Sequence, residues 1–226
     1  MAAPSEIRLN PRSDTTPEYL SEEPTMAFID TISPARAEGE VRDMYARQQA
    51  KYGYVPNYAR VFCHRPELMQ LWAALLAGIR RHIEPRRFEL ITFAAAHALG
   101  NSYCSLAHGD VLKRYLRSDD ILALARGAGE TAVSEAEAAM MAFARQVARD
   151  ATAITAEDVE RLRQHGFSDA EIFDIAATAA ARAFLAKLSD ALGARADARF
   201  LQMEAPLRDA LTVGRPIAEQ PPERIA

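Results

Sequence analysis

The sequence is poor in cysteine. Cys63 and Cys104 are the only two in 226 residues. Two cysteines do not make a disulfide framework, and a chain of this length does not need one. There is no CxxC pair. The histidines (His64, His82, His97, His108 and His165) form no HExxH helix and no Cys/His cluster with structural-zinc spacing. No metal and no cofactor is therefore expected. Long apolar runs are also missing. The longest lies within residues 90–99, contains His97, and is too short to span a bilayer. The opening residues MAAPSEIRLNPRSD lack the apolar core of a signal peptide. Charge of one sign is missing too: 27 Lys and Arg stand against 31 Asp and Glu, a net of −4. Neither nucleic acid nor an anionic membrane is expected as a partner, and a cytoplasmic location follows as the default.

What is present is helical patterning around a large apolar content. Hydrophobic residues make up 49%, enough to bury a substantial core. Residues 1–25 are rich in Pro, Ser, Thr and Glu with little apolar periodicity, and are expected to be a mobile extension. Met26 opens MAFIDTISP, the expected start of a folded domain over 26–226. Helices are expected over 38–52, after Pro66, over 85–99 with Pro85 in the first turn and Gly100 as the stop, from Ser102, and from Ser118. On the helix after Pro66, Leu68, Leu71, Trp72, Leu75 and Leu76 share one stripe. Capping boxes at Ser134/Glu137 and Ser168/Glu171 start later helices, with a weaker signal at Thr155/Asp158. No segment alternates like a strand. The fold class is all-α. A similar order of helices around 85–126 and 135–180 suggests a degenerate internal repeat. The matching helix of the second copy has no Cys or His, so the chemistry is assigned to the first. The tail after 211, TVGRPIAEQPPERIA, is proline-rich and expected to be extended.

The chemistry-bearing segment is ELITFAAAHALGNSYCSLAHGDVL, residues 89–112. Cys104 and His108 are four apart, so on a helix they lie on one face, one turn apart. Cys104 falls in the first helical turn, where unpaired N–H groups and the helix dipole favour a thiolate. A neighbouring imidazole accepts the thiol proton. A short connection at Gly100 runs the two helices antiparallel and returns Glu89 towards His108, where a carboxylate fixes the tautomer. The competing reading is plain packing, because free cysteine is among the most buried residue types. The same argument assigns Cys63 to the core. Asn101 and Tyr103 are candidate pocket residues; for Asn101 and Ser102, capping of the Cys104 helix is the preferred role. His97 is read as structural or interfacial. Arg80, Arg81, Arg86 and Arg87 are read as a solvated face or an intersubunit ion-pair surface, with attraction of an anionic substrate the lesser reading.

These residues resemble a known motif. In the alkylhydroperoxidase D-like branch of the carboxymuconolactone decarboxylase superfamily, a glutamate is followed by CxxC, three residues and a histidine. Glu89, Cys104 and His108 fit the glutamate, the second cysteine and the histidine; Asn101 stands at the first cysteine. The strings SYCSLAHG, MAFIDTISP, GYVPNYARVF at 53–62, LRQHGFSDAEIFDIAATAAARAF at 162–184 and LTVGRPI at 211–217 are similar to the subgroup of peroxidase-related enzymes. The resemblance covers about residues 26–217. It implies an alkylhydroperoxidase D-like helical bundle and a thiol peroxidase acting on a hydroperoxide. It also implies a homo-oligomer, a dimer or a higher even-numbered assembly. With Asn101 in place of a resolving cysteine, an oxidised Cys104 needs another thiol: an external thiol reductant, a small thiol or a redox protein, is preferred, and Cys63 is the lesser alternative. Two other readings remain open: a non-redox acid/base enzyme like the decarboxylating members, using Glu89 and His108, and an inactive binding or sensor module.

Overall fold

The computed structural model describes residues 26–128 and 132–225, so the extension expected over 1–25 lies outside the described residues. Among those residues there are ten α-helices and no strand. They are α1 (Gly39–Tyr52), α2 (Asn57–Val61), α3 (Pro66–Arg80), α4 (Pro85–Ala98), α5 (Ser102–Leu112), α6 (Ser118–Ala125), α7 (Glu135–Asp150), α8 (Ala156–Gln164), α9 (Asp169–Ala191) and α10 (Ala205–Leu211). The all-α class is as the sequence predicts. No helix among the described residues is long and apolar enough to cross a membrane.

Local chemistry sets the ends of the helices that matter. Glu84 caps α4 by accepting from the Arg86 and Arg87 N–H groups, and Pro85 fills the first turn, where a missing N–H costs nothing. Gly100 takes the left-handed conformation, φ +70°, that turns α4 into α5. Ser134 with Glu137, and Ser168 with Glu171, form reciprocal capping boxes on α7 and α9.

Helix α4 is the hub. It packs against α5, α7 and α9, and every residue from Phe88 to Ala96 is buried. That explains its unbroken apolar run, since a helix surrounded by others has no solvated face to pattern. One apolar cluster fills the space between α4, α7 and α9, built on Leu90, Ile91, Met140, Met141 and Ile175. A second, smaller cluster joins Met44, Tyr45, Phe62, Cys63, Met69, Ala96, Cys104 and Leu185. Three helices, α4 to α6, occupy 85–125 and three more, α7 to α9, occupy 135–191, with 23 residues in α9 against 8 in α6.

Three features go beyond the expectation. The short α2 and the 3₁₀ turn Phe62–His64 carry no periodic signal because they are shorter than a helical repeat. The apolar stripe of α3 is real but is not all turned inwards: Leu68, Leu71 and Leu75 are exposed, while Trp72 and Leu76 are half-buried. The tail after α10 is extended, as expected, and it is also tied down. The Gly214 N–H donates to Ser102 Oγ (2.8 Å). Further on, the Val55 N–H donates to the Glu223 carbonyl (3.0 Å), and Arg60 pairs with Glu223 (2.6 Å). Gly214 passes so close to the α4–α5 turn that a Cβ there would overlap the Gly100 carbonyl oxygen.

Candidate active site

Helices α4 and α5 present Glu89 and His108 to each other. His108 Nδ1 lies 2.5 Å from Glu89 Oε2, and the second carboxylate oxygen lies 3.5 Å from Arg80 Nη2 on α3. Burial pushes the Glu89 carboxyl up, but the hydrogen bond and charge of His108, with the charges of Arg80 and Arg182, bring it below its ordinary value. His108 is held below its ordinary value by burial first and then by the Arg182 charge, against the pull of Glu89. At neutral pH the pair is therefore a carboxylate and a neutral imidazole. An imidazole donating from Nδ1 carries its lone pair on Nε2, which makes it a base.

Cys104 sits in the first turn of α5, buried to 3% exposure. Asn101 builds that turn. Its Oδ1 accepts from the Cys104 N–H (2.7 Å) and its Nδ2 donates to the Ala186 carbonyl on α9 (3.2 Å). Asn101 thus acts as a helix cap and a tie to α9, the role preferred from sequence over a pocket position. The Tyr103 hydroxyl is likewise committed elsewhere. It donates to Asp197 Oδ2 (2.5 Å) and accepts from the Tyr58 N–H (3.3 Å). Asp197 also accepts from Tyr54 (2.9 Å) and the Asn57 N–H (2.8 Å), so Tyr103 anchors α2 and the 193–197 loop.

The sulfur's hydrogen-bond partner is a residue that the sequence reading missed. Arg182 Nη1 lies 3.6 Å from Cys104 Sγ, while among the described residues no hydrogen bond joins Sγ to His108. Arg182 comes from α9, so the second half of the chain does contribute to this site, contrary to the expectation. It is buried at 4% exposure, lies over the Trp72 ring at 5.7 Å, and its Nε has no hydrogen-bond partner among the described residues. The thiol also differs from the expectation. Burial pushes Cys104 up, the charge and hydrogen bond of Arg182 pull it down, Asp190 pushes it up again, and the net lies above the ordinary thiol value. Removing the sulfur from water outweighs the favourable helix terminus, so Cys104 rests as a thiol at neutral pH.

The other candidates are placed as follows. Cys63 is buried, and its Sγ accepts the Ile32 N–H at 3.4 Å. His97 packs beside Phe93, with ring centroids 5.5 Å apart, and burial holds it below its ordinary value. Three arginines of the basic stretch pair within the chain: Arg80 with Glu89, Arg86 with Glu137 (2.7 Å) and Arg87 with Glu171 (3.4 Å). A cleft of ≈160 Å³ opens beside Ile83, Ile91, Met140, Phe167 and Ile175, away from Cys104. Among the described residues no cluster of His, Cys, Asp and Glu fits a metal ion.

This scaffold is found in other proteins. The alkylhydroperoxidase AhpD core of Ralstonia eutropha JMP134, an uncharacterized peroxidase-related protein, superposes with a TM-score of 0.67 at 24% identity, covering 84% of this chain and 99% of that one. An uncharacterized peroxidase-related protein from Silicibacter sp. TM1040 gives 0.66 at 20% identity, over 81% and 98%. The debrominase Bmp8 gives 0.60 at 21% identity, over 76% and 91%. At these identities the likeness is one of fold. No curated protein matches the sequence. The class defined by this architecture is the alkylhydroperoxidase D-like helical fold. Within it, residues 66–146 match the model of the carboxymuconolactone decarboxylase family, and that segment holds Glu89, Cys104 and His108.

Proposed function

We propose that the protein is a thiol-dependent peroxidase that reduces hydroperoxides at Cys104, with His108 as base and Glu89 orienting it. The observation that carries this reading is the Glu89–His108 contact at 2.5 Å, one helical turn from a cysteine at a helix start. His108 Nε2 takes the thiol proton of Cys104, directly or through a water. The sulfur attacks the distal oxygen of ROOH. An S–O bond forms, the O–O bond breaks, and the electron pair leaves on RO, which takes the proton from His108 and departs as ROH. Cys104 is left as a sulfenic acid. A first external thiol displaces water to give a mixed disulfide, and a second releases Cys104 as thiol and leaves as the disulfide. Glu89 supplies no proton; it fixes the imidazole tautomer and stabilises the imidazolium. The names of the Ralstonia and Silicibacter structures support the peroxide as substrate class.

A cytoplasmic location and a homo-oligomer, a dimer or a higher even-numbered assembly, belong to the same reading. The outward Leu68, Leu71 and Leu75 of α3 support the second. Steady-state consumption of hydrogen peroxide and an alkyl hydroperoxide with small thiols as donors tests the function. Turnover that vanishes in Cys104→Ser supports it, and wild-type turnover in that variant removes the nucleophile. The resting thiol favours one other reading, an acid/base enzyme in which Glu89 and His108 move substrate protons and the sulfur takes no part. Turnover of a lactone acid that survives Cys104→Ser identifies that case.

A further inference from the structure

A guanidinium is the most permanently charged side chain a protein has, and burying one without a carboxylate partner is costly. Arg182 is such a case. It is held inside the protein at 4% exposure by α9, whose buried stripe runs through Ile175, Thr178, Arg182, Leu185 and Ser189. It forms no salt bridge among the described residues; its short contacts are the Cys104 sulfur at 3.6 Å and the face of Trp72 at 5.7 Å. Its Nε–H has no acceptor among the described residues. A buried cation with an unused donor beside a nucleophile is placed to receive negative charge.

We propose that Arg182 is the anion-stabilising residue of this site: one N–H steadies the sulfur of Cys104 as it ionises, and the free Nε–H donates to an oxygen of the substrate on which charge develops. This rests on the peroxidase reading for the identity of the substrate oxygen, but not for the effect on the sulfur. In the step written above, charge passes from sulfur to the departing RO oxygen, and the fork of the guanidinium has donors for both. Other charges and titratable groups surround the sulfur. Asp190 shares α9 and opposes Arg182. From α4 and α5, Glu89 and His108 both feel the Arg182 charge, from α3 Arg80 pairs with Glu89, and from α2 Tyr58 feels Arg182 as well. Cys63 and Tyr45 share the apolar cluster around the sulfur. Arg182 is the one that also touches the sulfur.

The test is alkylation of Cys104 in the full chain, followed on the Cys104 peptide by mass spectrometry against pH, with neutral iodoacetamide and anionic iodoacetate. In Arg182→Gln the midpoint should rise by about one pH unit or more, an approximately tenfold slower reaction at pH 7. Arg182→Lys should restore most of that shift, which a purely structural loss would not. In the unaltered protein, iodoacetate should react at Cys104 faster, relative to iodoacetamide, than it does at free cysteine, and this ratio needs no variant to fold. An unchanged midpoint in a folded Arg182→Gln, or a wild-type ratio below that of free cysteine, overturns the proposal. Neither readout uses a peroxide. Arg182-dependent alkylation without peroxide turnover sinks the peroxidase reading and leaves this one standing; peroxide turnover with Arg182-independent alkylation does the reverse.

Discussion

Cys63 and Cys104 are almost equally hidden, 6% and 3% exposed, and share one apolar cluster. Their polar surroundings differ. Cys63 lies in a 3₁₀ turn, and its sulfur accepts one backbone N–H, from Ile32. Cys104 lies at a capped helix start, against the Arg182 guanidinium and one turn from a histidine bonded to a carboxylate. Burial does not separate a structural thiol from a nucleophile. What separates them is whether a proton acceptor and a counter-charge have been buried with the sulfur.

The comparison breaks most sharply at the sulfurs themselves. Cys104→Ser should reduce peroxide turnover to background, while Cys63→Ser should leave it at the wild-type level and cost about 1–3 kcal/mol of stability, as a hydroxyl enters an apolar cluster. Parallel rate assays and urea unfolding read both. Next in size is His108→Gln, which removes the proposed base, a group Cys63 lacks. Turnover should fall about 10²- to 10⁴-fold, with Cys63 alkylation unchanged. A smaller effect comes from the helix start. Asn101→Ala should cost about 1–2 kcal/mol as the cap is lost, with Cys104 alkylation altered and Cys63 alkylation not.

The smallest effect is in pH. The folded protein holds His108 below its ordinary value of 6.5. Its contribution to stability is therefore fully present above that value and lost as pH falls through the folded value. Glu89 is also lowered, so its contribution is lost in the same direction, at lower pH. The stability difference between the protein and His108→Gln should narrow as pH drops from about 7.5 to about 5. Urea unfolding at the two pH values checks this, and a gap that widens contradicts the buried neutral imidazole.

How much of this was legible in sequence follows from how local each feature is. The α4–α5 turn, the Asn101 cap and the capping boxes of α7 and α9 depend on residues three or four apart, and their signals lie in single short strings. The Glu89–His108 contact spans one tight turn and is nearly as local. Arg182 is different: it lies 78 residues from Cys104, and only the packing of α9 on α3 and α4 brings it to the sulfur. One signal was available. Within α9 a charge falls on the buried stripe through Ile175, Leu185 and Ser189, where solvent-facing arginines do not sit. The α3 stripe shows a different limit. Periodicity tells which residues share a face, not what the face meets, and Leu68, Leu71 and Leu75 turn outwards.

The most direct test of the account is to trap the sulfur in its oxidised state. The protein is treated with one equivalent of hydroperoxide and dimedone, and both cysteine peptides are analysed by mass spectrometry. The account predicts a sulfenic-acid adduct on Cys104 and none on Cys63. An unmodified Cys104, or an adduct on Cys63 in its place, contradicts it.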